Sequence, residues 1–173
     1  MATTGSSFEN ALRELGVSVT HADSDTVREQ IEETVTAPAV GVPLEATFGD
    51  AAFSLAETSV EVDPTPATLR DATTGVTGAQ LGVADYGTLV LSLTERASEL
   101  VSLFVERHVA VVRAADVVEE METAIEELDE EFSETRGSAI LATGPSATAD
   151  MGALVKGAHG PKEVHVVLVE GGE

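Results

Sequence analysis

Apolar and polar positions alternate along this chain in two rhythms. Phe8, Leu12 and Leu15 stand three and four residues apart, which predicts a helix over Ser7–Gly16 with Gly16 as its stop. Val17–Thr20 reads as a strand. Asp25–Thr34 reads as an acidic helix with Val27 and Ile31 inward. Ala39–Val42 is a short apolar run closed by Pro43, and Thr58–Val62 alternates as a strand does until Asp63-Pro64-Thr65-Pro66 stops it. Ala67–Ala72 suits a short helix. Thr88–Leu93 and His108–Arg113 read as strands flanking a helix over Glu95–Val105 that buries Leu100, Val101 and Phe104. The clearest helix is Asp116–Phe132. There Val117, Met121, Ile125, Leu128 and Phe132 form a stripe, Asp116 serves as cap, and Glu119, Glu120, Glu122, Glu126, Glu127 and Asp129 face away. Ser138–Ala142 is expected as a strand, Thr148–Val155 as a helix and Val164–Val169 as a last strand.

Strands alternating with helices predict α/β architecture, a single three-layer domain with a mainly parallel sheet. Residues 1–57 form its N-terminal helical and strand part, 58–170 its core and 171–173 a tail. A length of 173 residues suits one domain with a real core. No internal repeat or linker interrupts it.

Charge changes this picture most. The chain has 31 acidic and 9 basic residues, a formal net charge of −22, yet 43% of its residues are hydrophobic. That hydrophobic share separates it from acidic disordered chains. The charge opposes nucleic acid and anionic membranes, and no apolar run is long enough for membrane insertion. It fits the cytoplasm of an extreme halophile, where salt screens the self-repulsion. The N-terminus has no signal-peptide pattern, which also favours a cytoplasmic location. There is no cysteine, so neither thiol catalysis nor a Cys-ligated iron–sulfur cluster is expected on this chain. His21, His108, His159 and His165 lack metal-ligand spacing, so no metal is expected; His108 reads as a hydrogen-bonded core residue. The sequence names no cofactor.

Two glycine-marked segments carry the candidate chemistry. The first, Gly75–Thr88, holds Thr77, Gly78, Gly82, Asp85, Gly87 and Thr88. Clustered glycines let a ligand approach the backbone, and Asp85 could accept a proton. A tight turn feeding a strand explains the same residues. The second, Thr143–Lys162, holds Thr143, Gly144, Pro145, Ser146, Thr148, Asp150, His159, Gly160 and Lys162. Read as strand, loop and helix, it would aim backbone N–H groups at an anion. Ser146 or Thr148 would equally serve as helix caps. His159 and Lys162 would add local positive charge for a carboxylate or phosphate, or simply organise a turn and its rim.

The blocks Gly75-Val76-Thr77-Gly78-Ala79, Gly82–Val90, His108–Val112, Thr143–Asp150 and Gly157–Val166 together resemble the LUD domain, the lactate-utilisation protein C family. The resemblance covers about residues 58–169. It implies a fold like the sugar-phosphate isomerase and CoA-transferase group. It implies a part in oxidising L-lactate to pyruvate beside iron–sulfur partner proteins. It also gathers both segments into one cleft for a small carboxylate or anionic cofactor, with Asp85, Asp150 and His159 as candidate catalytic groups. Asp85 departs from the family pattern, in which Glu is expected. Alternatives are a stand-alone isomerase-like or CoA-transferring enzyme, with Asp85 as base or nucleophile, and a non-catalytic interaction subunit. A homo-oligomer is compatible with each.

Overall fold

A computed structural model describes residues 3–94 and 98–171. Its centre is a six-stranded, wholly parallel sheet. The strands are β1 (Ser18–Ala22), β2 (Ala39–Gly41), β3 (Glu61–Val62), β4 (Thr74–Gly78), β7 (Arg107–Arg113) and β12 (Glu163–Val169). Their order is β1-β12-β7-β4-β2-β3. The middle strands are buried on both faces, as parallel strands usually are. Val109–Val112 and Val166–Leu168 accordingly form unbroken buried runs.

The two faces are covered differently. On one lie α2 (Val27–Thr34), the single turn α3 (Glu45–Phe48) and a 3-10 turn over Ala51–Phe53. Val27, Ile31, Leu44, Phe48 and Phe53 pack there on Val76, Val109, Val111 and Val167. The other face receives α1 (Thr4–Glu14), α4 (Pro66–Asp71), α5 (Ser98–Leu103) and a second sheet. That second sheet has four strands in the order β8-β5-β6-β9: β8 (Val117–Val118), β5 (Leu81–Val83), β6 (Thr88–Ser92) and β9 (Ala139–Thr143). Phe8 and Leu12 of α1 join Leu89, Leu91, Ile140 and Ala142 of the small sheet against Ala110, Val112, Val166 and Leu168. The outer face of the small sheet buries Ala124 and Leu128 of α6 (Met121–Thr135). A layer that was expected to be helical is therefore partly β.

Several expected elements are present. Thr3 caps α1 through its side chain, and Gly16 takes φ +77 just beyond it. Val27 and Ile31 of α2 are wholly buried. Four expectations need correction. Gly75–Gly87 is two buried strands, β4 and β5, followed by a turn that exposes Asp85 and Tyr86, rather than one continuous loop. Val117 and Val118 pair with Gly82 and Val83, so α6 starts later, at Met121, and Asp116 does not cap it. Burial then falls on Ala124 and Leu128 and leaves Ile125 exposed. Thr148–Val155 is no helix. It is a hairpin of β10 (Ala147–Asp150) and β11 (Ala153–Lys156), turned by Met151 (φ 49) and Gly152 (φ 80). Two consecutive positive φ angles make the mirror-image turn that matches strand twist. Finally, Phe104 follows α5 at 69% exposure instead of entering the core. The expected start of that helix, 95–97, lies outside the described residues.

A cleft at the strand carboxyl ends

The connection leaving β2 runs through α3 on one face, while the one leaving β4 runs through β5, β6 and α5 on the other. Adjacent strands whose chains depart to opposite faces leave a crevice at their carboxyl ends. That crevice is where ligands bind in open α/β sheets. A cleft of about 710 Å³ lies there. Its floor is Val42 and Pro43 after β2, with Gly78, Gln80 and Leu81 around the end of β4. Ala46 and Thr47 of α3 form one side. Ser92, Thr94 and Ser98 bring hydroxyls from the end of β6 and the start of α5. Asp116, Glu127 and Glu131 bring carboxylates.

Local geometry fixes several of these groups. A Cβ on Gly78 would stand 2.7 Å from Thr47 Oγ1, so glycine lets α3 close on the strand end. Gln80 Nε2 donates to Glu131 Oε2 at 2.9 Å. Ser98 Oγ donates to the Ser92 carbonyl at 2.8 Å, leaving its oxygen free to accept. Arg113 Nε donates to Asp116 Oδ2 at 2.5 Å, and its guanidinium lies 5.4 Å from the Phe48 ring centroid. The lining thus combines hydroxyls with carboxylates. Among the described lining residues there is no lysine or arginine.

The sequence-predicted site residues fall elsewhere, apart from Gly78. Thr77 is buried and bonds His108 Nε2 at 2.7 Å; burial holds the His108 imidazole neutral, its pKa lowered from 6.5 to about 4. Gly82 faces the Phe8 ring, and Gly87 (φ +65) lets the β5–β6 turn lie against Ala11 and Leu12 of α1. Asp85 is exposed on that turn, and its N–H donates to the Glu119 carbonyl. Thr88 and Thr143 do meet, hydroxyl to hydroxyl at 2.8 Å, so the two segments touch at this point. Gly144 (φ +71) packs by Leu15, and Pro145 follows it. Ser146 joins the hairpin root through Pro161 and Gly157. Thr148 and Asp150 lie on β10, with Asp150 exposed. No helix N-terminus exists here to hold an anion. His159, Gly160 and Lys162 line a second, shallower cleft of about 440 Å³ with Phe104. It lies at the amino ends of the strands, where Lys162 N–H donates to the Glu106 carbonyl and Lys162 Nζ stands 3.6 Å from Glu106 Oε1.

Sequence reasoning missed Thr47, Gln80, Ser92, Thr94, Ser98 and Glu131 as cleft residues. The signal within reach was Glu127 and Glu131, one helical turn apart on the same face.

A mainly parallel sheet covered on both faces, with a crevice at the carboxyl ends of its strands, defines an α/β protein. The chain belongs to the LUD domain family, whose model matches residues 5–169. The match therefore starts well before residue 58 and takes in α1, β1 and α2. Two curated relatives are both called Lactate utilization protein C. The one from Bacillus velezensis is 33% identical over 104 residues, covering 58% of this chain and 43% of that protein. The one from Deinococcus radiodurans is 29% identical over 96 residues, covering 54% and 45%. The matched stretch spans less than half the length of these relatives. A solved DUF162 family protein from Deinococcus radiodurans has the same fold, with a TM-score of 0.71 at 21% identity over 98% of this chain and 99% of that one. Among the described residues, no helix is long and apolar enough to cross a membrane.

Proposed function

We propose that this chain is a cytoplasmic component of a system that oxidises L-lactate to pyruvate with iron–sulfur partner proteins. On this reading its ligand seat is the cleft at the ends of β2 and β4. The observation that carries it is the mixed lining of that cleft. A 2-hydroxy acid has one hydroxyl that donates and one carboxylate that accepts. The carboxylates of Asp116, Glu127 and Glu131 suit the donor, and the hydroxyls of Thr47 and Ser92 suit the acceptor. The names of the two curated relatives point to the same substrate.

Oxidising the carbinol to a ketone releases two electrons and two protons. The electrons need an acceptor, which this cysteine-free chain assigns to the clusters of its partners. Glu131, held by Gln80, stands as acceptor for the hydroxyl proton, and the proton from carbon leaves with the two electrons to acceptor groups on the partner proteins. Asp85, Asp150 and His159 lie outside this cleft and keep a role only at the family's level of resemblance.

Titration of the purified chain with L-lactate and pyruvate, followed by ligand-observed NMR at high salt, tests the seat. Thr47→Val, which removes a lining hydroxyl at nearly constant volume, should weaken binding while leaving the circular dichroism intact. Glu131→Gln should retain binding but slow lactate oxidation in the reconstituted system. Failure of the wild-type chain to bind either acid, combined with no effect on oxidation by the partners, would sink the reading.

A further inference from the structure

The β10–β11 hairpin stands apart from the rest of the molecule. Its strands pair with each other and, among the described residues, with no other strand. The ties at its root are Ser146 N–H to the Pro161 carbonyl and Gly157 N–H to the Ser146 carbonyl. A lone two-stranded hairpin is marginal in water, and natural ones are normally covered. This one instead carries Met151 at 100% exposure and Leu154 at 71%.

Its register sorts the side chains. Ala147 opposes Lys156 and Ala149 opposes Leu154, so these four share one face. All four are exposed, and none is acidic. The hairpin Ala147–Lys156 holds one lysine against one aspartate, so it is formally neutral where the whole chain is −22, and Lys156 is the one charge on this face. An apolar arm with a single positive charge on one face therefore projects from an acidic body.

The body offers a matching surface. α6 carries seven acidic residues and no basic one. In the middle of its exposed face stands Ile125, 47% exposed, with Glu122 one turn before and Asp129 one turn after. Residues two apart on a strand are about 6.6 Å apart. Residues four apart on a helix rise about 6 Å. The pair Leu154 and Lys156 thus has the spacing of Ile125 and Asp129.

We propose that the arm of one molecule docks on α6 of a second copy of this chain, Leu154 against Ile125 and Lys156 against Asp129, and that the second copy returns the contact. This gives a two-fold, self-complementary dimer. The inference is independent of what the cleft binds.

Sedimentation equilibrium of the full chain at about 1 M salt, where the repulsion between two highly acidic molecules is screened, tests it. The wild type should be dimeric. Leu154→Asp should weaken association by about tenfold or more with an unchanged circular dichroism spectrum. Lys156→Asp and Asp129→Lys should each weaken it at lower salt, and the two together in one chain should restore it. Carbodiimide coupling of mixed light and heavy-isotope chains should join Lys156 to Glu122 or Asp129 of the other isotope. A wild type that stays monomeric up to ~100 µM overturns the proposal, since an interface weaker than that is a chance encounter. So does a dimer indifferent to Leu154→Asp, which would place the interface elsewhere. A double variant that fails to recover also overturns it.

Discussion

Gly75–Gly87 and Gly144–Gly160 look alike as sequence, each rich in glycine, threonine and alanine. In space they are opposites. The first is among the most enclosed parts of the molecule: a Cβ on Gly75 would lie 2.0 Å from the Val101 carbonyl oxygen, and one on Gly82 would lie 2.9 Å from the Phe8 ring. The second forms a projecting arm whose glycines take positive φ, at Gly144, Gly152 and Gly157. At the tip, nothing lies within 4 Å of where a Gly152 Cβ would stand. Glycine serves mainly close packing in the first region, with Gly87 alone at a turn, and mainly chain reversal in the second. A count of glycines cannot tell the two apart; the surroundings of the missing Cβ can.

The contrast can be broken most sharply at Gly75. Gly75→Ala forces a methyl into the α5 backbone, and we expect a loss of about 3 kcal/mol, read as a large fall in melting temperature or as failure to fold. Gly82→Ala should cost less, about 2 kcal/mol, because a ring can shift where a backbone carbonyl cannot.

Acid should unsettle the same enclosed region. Burial lowers the pKa of His108 to about 4, and burial with the Arg107 charge does the same for His165. Both are neutral when folded and titrate near 6.5 when unfolded. Their contribution is therefore full above about pH 6.5 and is lost as pH falls from there toward 4, by on the order of a few kcal/mol between them. Chemical denaturation at a series of pH values reads the slope. His108→Gln should flatten part of it.

Gly152→Ala marks the other side of the comparison. Its φ of +80 makes alanine strained, but the hairpin pairs with no strand of the other sheets among the described residues. The global midpoint should move by less than about 0.5 kcal/mol, while amide exchange in β10 and β11 speeds up. The smallest effect is at His21. Burial opposes its charge, but the hydrogen bond to Glu170 and the nearby Glu9 outweigh it, so its pKa is raised. This gain is present at low pH and lost as pH rises through the raised value. The site is half exposed, so His21→Gln should cost a few tenths of a kcal/mol at pH 5 and nothing at pH 8.

Much of the sheet was legible. β7 and β12 announce themselves as Val-rich runs too short for helices, and α1 and α2 by three-and-four spacing. The errors share a cause. Val117 fits the apolar stripe of α6, yet it pairs with Gly82, some 35 residues back, and a local period cannot see that partner. Leu154 and Val155 fit a helix as well as a hairpin, and the deciding feature was the reversal at Met151-Gly152. The cleft was the least legible part. Gly78 was identified, but Thr47, Ser98 and Glu131 meet it only because β2 and β4 are neighbours whose chains leave on opposite faces. That is a property of strand order, which periodicity does not carry.

Strand order also sets a timetable for synthesis. β12, made after the other five strands of its sheet, is inserted between β1 and β7, pairing Ser18 with His165 and Val109 with the same residue from the other side. Until it emerges, β1 has no partner and β7 presents a bare edge. The nascent chain must hold these strands apart from each other and from their neighbours. Closure of the sheet then waits for β12, and a ribosome stalled before Glu163 would display two open edges at once.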